Sequence, residues 1–383
     1  MRTQADVLML APAADQHADP IRAVELLHIP PRCPWTDPGR PPQRPPPASG
    51  LSGAAETQEP RNTPMPTSTD HSMYAVLQIG YGGPEVLRVD EVKRPVPGPG
   101  DILVRVRAAG VNPADWKIRA GLANHRFLQP PFTPGMDLAG EVEAMGSDAA
   151  GFAPGDRVYG MVYPPGGAQA QYALARADML AHVPSEVDLV QAGGLATAGL
   201  TAWQALAKAQ VAPGQRVLIH AAAGGVGHFA VQIAKAHGAH VIGTARLENH
   251  AFLRRLGADE VIDYTSQDFT RVIGDGVDVV LDPLGDDYGL RSLTLLPHGG
   301  VYVDVRQPNP GRPEVRAQAL ERGIRFTDVT VAPNVKDLTD LIALAHRGQL
   351  RAAVQQTLPL SEVAKAHELS ETSHVKGKIV LIP

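Results

Sequence analysis

Ala222, Gly224 and Gly227 stand at A-x-G-x-x-G spacing in Ala222-Ala223-Gly224-Gly225-Val226-Gly227. Small residues so spaced suit one task, the close approach of backbone to a pyrophosphate. The absent Cβ at Gly224 bares the main chain, and the absent Cβ at Gly227 lets the following helix pack against the preceding strand. The helix N-terminus then offers unpaired N–H groups and partial positive charge. Ala222 replaces the usual first glycine, a tolerated departure. About 20 residues further on, an NAD site carries an acid for the ribose 2′-OH; here that place holds Ala245 and Arg246. Absence of repulsion, with a guanidinium suited to bidentate phosphate contact, favours a 2′-phosphate, so NADP(H) is the expected cofactor. Thr244, Asn249 and Tyr264 are placed to complete that pocket with hydroxyl, amide and ring. The competing reading of Arg246 is a solvated loop charge.

These residues need a strand, a tight turn, a helix and a second strand to position them, and the pattern supplies all four. Val217-Leu218-Ile219 is a β-branched apolar run of the kind buried on both faces. Val226, Ala230, Ile233, Ala234 and His237 recur at helical spacing. Val241-Ile242-Gly243-Thr244 closes a βαβ unit of about 30 residues. Strands expected at 216–222, 240–245, 260–264, 277–282, 299–305 and 324–331 alternate with helices, which implies a doubly wound parallel sheet over residues 191–350. Asp282 ends the fourth of these strands, at the edge where cofactors bind. Residues 73–190 instead read as short strands punctuated by Gly82-Gly83-Pro84, Pro97-Gly98-Pro99-Gly100 and Pro154-Gly155-Asp156, a small irregular β-barrel.

From Met73 onward the chain resembles the medium-chain dehydrogenase/reductase superfamily, in its zinc-free quinone oxidoreductase (zeta-crystallin-like) branch. The resemblance rests on GVNPADW, PFTPGMDLAGEV, FAPGDRVYGM, ATAGLTAWQAL, GVDVVLDPLG, LLPHGGVYVDV and HELSETSHVKGKIVLIP, in the family's order. It implies an α/β protein with a GroES-like irregular β-barrel domain, a Rossmann domain, and a terminal segment 351–383 that returns to the first domain. It also implies a homodimer. Where the zinc enzymes of that superfamily place a Cys, a His-Glu pair and a further Cys or His, this chain has Asn112, Met136-Asp137 and Thr197, with no thiolate or imidazole among them. A four-cysteine structural zinc loop is impossible with Cys33 as the only cysteine. No metal is expected.

By the same correspondence, Asn112 faces the cleft and its amide is the leading donor to a carbonyl or quinone oxygen; the rival reading is a loop Asn that caps local backbone. Asp115 either takes part in catalysis or orders that loop. Tyr163, on VYPPGGAQAQY, is a candidate general acid or stacking residue. Trp116 and Lys117 shape the pocket or belong to the core. Thr197 is placed for the nicotinamide amide or ribose, and Lys378, in the terminal G-K pair, either reaches the cofactor or is solvated at a strand edge. Asp282 is a candidate for the nicotinamide ribose, although Pro283 stands where the family more often has Thr. His220 and His228 read as local packing or capping.

Composition narrows the alternatives. A net charge of −5 gives no general footprint for nucleic acid or membrane, and no apolar run approaches about 18 residues. The lone cysteine suits a reducing compartment, and a cytoplasmic location is expected. Residues 1–72, with PPRCPWTDPGRPPQRPPPASG, are too poor in apolar side chains to offset their ordering entropy. They are read as a disordered extension or as translation from an upstream start codon, the latter favoured because the family's sequences typically begin where Met73 stands. The expected activity is NADPH-dependent, zinc-independent hydride transfer to a small quinone or α,β-unsaturated carbonyl in an interdomain cleft. An enoyl-thioester reductase, hinted at by Lys117, Arg119 and Arg126, and a non-catalytic NADPH sensor are the rivals.

Overall fold

The computed structural model describes residues 71–123, 127–285, 287–305 and 312–383. The Pro-rich segment through residue 70, with Cys33, lies outside the described residues, as does Arg126. The first strands, β1 (Ser72–Gln78) and β2 (Leu87–Lys93), form an antiparallel pair. Next come β3 (Asp101–Val111), β4 (Asp137–Met145), β5 (Arg157–Met161), β6 (Tyr172–Arg176) and β7 (Leu180–His182), all antiparallel to their neighbours.

The second sheet consists of β8 (Arg216–Ile219), β9 (His240–Thr244), β10 (Glu260–Ile262), β11 (Val279–Asp282), β12 (Val301–Asp304) and β13 (Arg325–Asp328). Its order is β10-β9-β8-β11-β12-β13, parallel throughout. The order reverses between β8 and β11, and ligands of such sheets bind beyond the carboxyl ends at that switch point. All six expected strands are present, each shorter than its expected range. Alternate residues serve two cores. Val217, Ile219, Val241, Val279 and Leu281 face the helices Ala196–Ala209 and Gly225–Ala236, whereas Leu218, Ile242, Val280 and Tyr302 pack with Phe269 and Val315 on the opposite face.

The last strands, β14 (Val354–Pro359) and β15 (Lys378–Ile382), pair in parallel with each other, and β15 runs antiparallel beside β3 with Ile379 opposite Val111. The chain therefore crosses the cleft a final time, and the start of β15 meets the end of β3. Gly377 makes the entry turn at φ +71°, where an added Cβ would lie 2.0 Å from Ala353 O.

The turn after β8 shows how the glycine pattern works. Ala221 carries the left-handed bend (φ +47°), one residue before the position expected to hold the first glycine. Ala222 is fully buried, and its N–H donates to Thr244 O at 3.0 Å. A Cβ on Gly227 would lie 2.4 Å from Ala221 O and 2.7 Å from Ala222 Cα, so the helix could not seat against the turn. Gly227→Ala is therefore expected to destabilise the protein by about 1–3 kcal/mol, the cost of overpacking, read as a lower Tm. Gly166→Ala, with open space around the new methyl, is expected to leave Tm unlowered.

Candidate active site

Two adjoining cavities, of about 410 and 320 Å³, lie at the carboxyl ends of β8 and β11. They share Ala221, Gly224, Leu284, Ser373 and Val375, and so form one trough with the glycine turn at its waist. Gly224 caps the helix Gly225–Ala236 in extended conformation. A Cβ added at Gly224 would meet only Ala221 O, at 3.3 Å, and one at Gly225 nothing closer than Gly377 O at 3.7 Å. The backbone at the waist is thus bare toward the trough.

The outer half carries charges of both signs. Arg246, just after β9, donates from Nε to the Tyr264 hydroxyl at 3.2 Å and places Nη2 2.6 Å from His374 Nε2. Thr244 and Asn249 line the same cavity, as do Glu248 and Asp287, whose carboxylates are unfavourable to a phosphate there. Thr244 Oγ1 also lies 3.1 Å from Nδ1 of His220, which is fully buried and has its other ring nitrogen 2.9 Å from Ser292 Oγ; burial lowers its pKa to about 4. His228 likewise falls to about 4 through burial, with Nδ1 2.9 Å from Gly224 O and Nε2 accepting from Ala353 N–H at 3.3 Å. Both histidines are internal struts.

The inner half is built around one ammonium. Lys378 Nζ donates to Val111 O at 3.0 Å, Asn112 Oδ1 at 2.5 Å and Asp137 Oδ2 at 3.3 Å. Both members of the ion pair are buried, at 2% and 0% side-chain exposure. Thr197 opens the neighbouring helix and donates to Asp137 Oδ1 from its backbone N–H at 2.9 Å and from its hydroxyl. Desolvating two charges costs several kcal/mol each, and this set of contacts satisfies most of their hydrogen-bonding capacity. Asn112 sits at the N-cap of the helix Pro113–Arg119, with Pro at its first position and its own N–H donating to Asp115 Oδ2 at 2.8 Å. Asn112 Nδ2, buried against the cavity, has no partner.

Residues 98–185 match the family profile described as the alcohol dehydrogenase GroES-like domain, and residues 256–381 match that described as zinc-binding dehydrogenase. The quinone oxidoreductase of Sus scrofa is 35% identical over 324 residues, covering 81% of this chain and 98% of its own. A 2-haloacrylate reductase from Burkholderia sp is 36% identical over 323 residues, with 79% and 96% covered. The crystal structure of Escherichia coli quinone oxidoreductase complexed with NADPH superposes with a TM-score of 0.72 at 31% identity, covering 81% of this chain and all of that one. The chain belongs to the quinone oxidoreductase branch of the medium-chain dehydrogenase/reductase superfamily. Its antiparallel sheet is accordingly GroES-like and its parallel sheet Rossmann-like.

In this quinone oxidoreductase fold the trough brings together most of the residues singled out from the sequence. Thr244, Arg246, Asn249 and Tyr264 line its outer half; Asn112, Thr197, Gly225, Val226, Gly227 and Lys378 line the inner half; Gly224 serves both. Four candidates are corrected. Ala222 packs beneath the turn and does not line the trough. Asp282 does not face the ribose position: it is fully buried, ion-paired with Arg312 at 2.6 Å, and accepts from the Tyr302 hydroxyl and from the Leu284 and Gly285 N–H groups. Tyr163 packs against the core and lines neither cavity, and burial pushes its hydroxyl up to about 12. Asp115 lines neither cavity and serves the loop. Lys378 also departs from one of its two readings, being buried and not solvated at a strand edge.

Arg119 is another departure, buried against Glu371 and donating to Gly82 O at 3.2 Å, so the suggested basic docking surface loses a member. Sequence reasoning missed His374, Ser373 and Leu284. His374 and Ser373 lie in the segment before β15, 128 residues from Arg246 in the case of His374, and no local pattern announces that meeting. Among the described residues no helix is long and apolar enough to cross a membrane.

Burial raises the Asp115 carboxyl to about 7; the Asn112 N–H opposes this, Asp137 adds to it and Lys378 lowers it. Below about pH 4, the ordinary range for Asp, the group is protonated in folded and unfolded chains alike. Between about 4 and 7 only the unfolded chain ionises, so stability from this group is lost across that window and levels off above it. Asp115→Asn keeps an oxygen for the Asn112 N–H and removes the ionisation. Its Tm is expected to match or fall slightly below wild type at pH 4 and to gain on wild type by several degrees at pH 8; a gap that does not change with pH contradicts the assignment.

Proposed function

We propose that the chain is an NADPH-dependent oxidoreductase that delivers hydride to a quinone or an α,β-unsaturated carbonyl without a catalytic metal. The observation that carries this reading is the trough itself, with a guanidinium at one end, bare backbone at the waist and a buried, unpartnered amide donor at the other end. Arg246 and Tyr264, with Thr244 and Asn249, would hold the 2′-phosphate end, His374 adding a ring nitrogen. The Gly224–Gly227 backbone would take the pyrophosphate, and Thr197 would border the nicotinamide. When bound, NADPH supplies the hydride.

The protein's own task is then to orient the acceptor and stabilise charge that develops on its oxygen. Asn112 Nδ2 is the group we assign to that oxygen, because an orphaned donor in a low-dielectric wall gains most from an acceptor that becomes anionic. Among the described residues the inner cavity is lined by no carboxylic acid, imidazole or phenol, and we assign the proton that completes reduction to water. Zinc chemistry does not suit this donor set: Asn112, Asp137 and Thr197 offer neither thiolate nor imidazole, and the ammonium of Lys378 already sits on the Asp137 carboxylate. The quinone oxidoreductase relatives support the quinone class, and the 2-haloacrylate reductase supports an activated C=C acceptor. The family resemblance supports a homodimer, and the lone cysteine supports a reducing compartment such as the cytoplasm. The inward-facing Arg119 weakens the thioester reading.

Absorbance loss of NADPH and NADH is the test, with 1,4-benzoquinone, 9,10-phenanthrenequinone, an enone and crotonyl-CoA as acceptors. NADPH-selective turnover with quinone or enone is expected. Turnover confined to crotonyl-CoA, or NADPH binding with no turnover, overturns the reading. Arg246→Ala is expected to raise KM for NADPH about 10- to 100-fold, as for a lost charged hydrogen bond, with KM for NADH little changed. Asn112→Asp keeps an oxygen for Lys378 but loses the donor, and kcat is expected to fall about 10²–10³-fold with NADPH affinity retained. An undiminished kcat removes Asn112 from the chemistry.

A further inference from the structure

An asparagine amide has two ends of nearly the same shape, and which end faces a ligand is decided by its neighbours. At Asn112 the neighbour is an ammonium, which has donors and no acceptor. The Lys378 Nζ to Asn112 Oδ1 contact of 2.5 Å therefore fixes the oxygen on the ammonium and leaves Nδ2 buried without a partner, in a residue that lines the inner cavity. Lys378 cannot swing away to do otherwise. Its three donors are engaged by Val111 O, Asn112 Oδ1 and Asp137 Oδ2, and its side chain is 2% exposed. Asp137 is held in turn by the backbone and hydroxyl of Thr197.

We propose that Lys378 is a positioning residue for hydride transfer, which holds the Asn112 amide with its NH₂ toward the acceptor oxygen and polarises that amide. The inference rests on the role given to Asn112 under the proposed function. Lys378 does not itself donate to the acceptor, since its protons are spent on protein oxygens. Its positive charge acts through the amide: electron density drawn toward Oδ1 makes Nδ2–H a stronger donor, and in a buried site such linked hydrogen bonds reinforce one another. The geometry also explains why the charge is buried at all. A neutral side chain could fill the space, but it would leave the amide free to present its oxygen, which repels a developing oxyanion.

The decisive variants are Lys378→Met and the pair Lys378→Met/Asp137→Asn. The pair avoids leaving a buried carboxylate without its cation, and keeps a partner for Thr197. With NADPH and 1,4-benzoquinone, both are expected to lose about 10²-fold in kcat, the scale of a lost oxyanion donor. NADPH dissociation constants, read by cofactor fluorescence, are expected to stay within about threefold, with a primary deuterium isotope effect on transfer from 4-deuterated NADPH at least as large as in wild type. Because Lys378 acts through Asn112, adding Lys378→Met to Asn112→Ala is expected to cost little further activity, a strongly non-additive cycle. Wild-type kcat in the paired variant, or losses that multiply in the cycle, overturn the proposal.

One arm does not depend on turnover. In ¹⁵N-labelled protein the Asn112 side-chain NH₂ pair, assigned by its absence in Asn112→Asp, is expected to shift in the paired variant while backbone signals away from the site stay in place. An unmoved NH₂ pair counts against Lys378. Failure of wild-type turnover with every acceptor would instead remove the proposed function, with the NH₂ signal still deciding whether Lys378 sets the amide.

Discussion

The burial of one ammonium organises this molecule. Lys378 begins the last strand, Val111 ends β3 with Asn112 just beyond it, Asp137 begins β4, and Thr197 starts the helix that leads to the parallel sheet. A lysine so enclosed persists only if a charge of opposite sign and enough acceptors surround it, because desolvation otherwise exceeds the attraction. Satisfying it requires β15 to lie beside β3, which draws the terminal segment back over the glycine turn and makes the trough. Small residues permit this crowding. A Cβ on Gly110 would come within 2.7 Å of Asp137 Oδ2 and 2.4 Å of Gly193 O.

What the sequence made legible followed from how local each signal is. The central strands β8, β9, β11 and β12 carry short apolar runs, whereas the edge strands β10 and β13 are mixed in sequence and follow from the alternation of strands with helices. The glycine turn and Arg246 could be read together because one βαβ unit contains both, and register within such a unit is fixed by its own strand pairing. Asn112 could be singled out only through family resemblance, since nothing beside it announces a cleft. Its bond to Lys378 spans 266 residues, and no periodicity reaches that far. The failures have the same origin. Asp282 stood at the favoured end of a strand, but a distant arginine and the hydroxyl of Tyr302 claimed its oxygens. Tyr163 lay on a plausible loop, and the core took its ring.

The cap reading of Asn112 is compatible with the site role proposed for it. Its backbone caps a helix through Asp115, while its side chain bridges an ammonium and a cavity. The helix cap fixes where the Cα stands and the lysine fixes which way the amide turns, so a common loop role and a site role reinforce each other. Asp115, considered for chemistry, contributes by holding the first of these in place. The residues that, by the family resemblance, stand where the zinc enzymes carry metal ligands include Asn112 and Asp137, which here bind an ammonium.

The crossing of the terminal segment also has a mechanical meaning. Gly377 N–H donates to Ala223 O at 2.8 Å, in the glycine turn of one sheet, while the next residue enters a strand of the other. This stitch lies at the waist of the trough, between its two halves. A hinge there would have to tear the stitch before the sheets could part. One such bond is worth about 1 kcal/mol net, so it sets the register of the terminal segment on the glycine turn without locking the two sheets together.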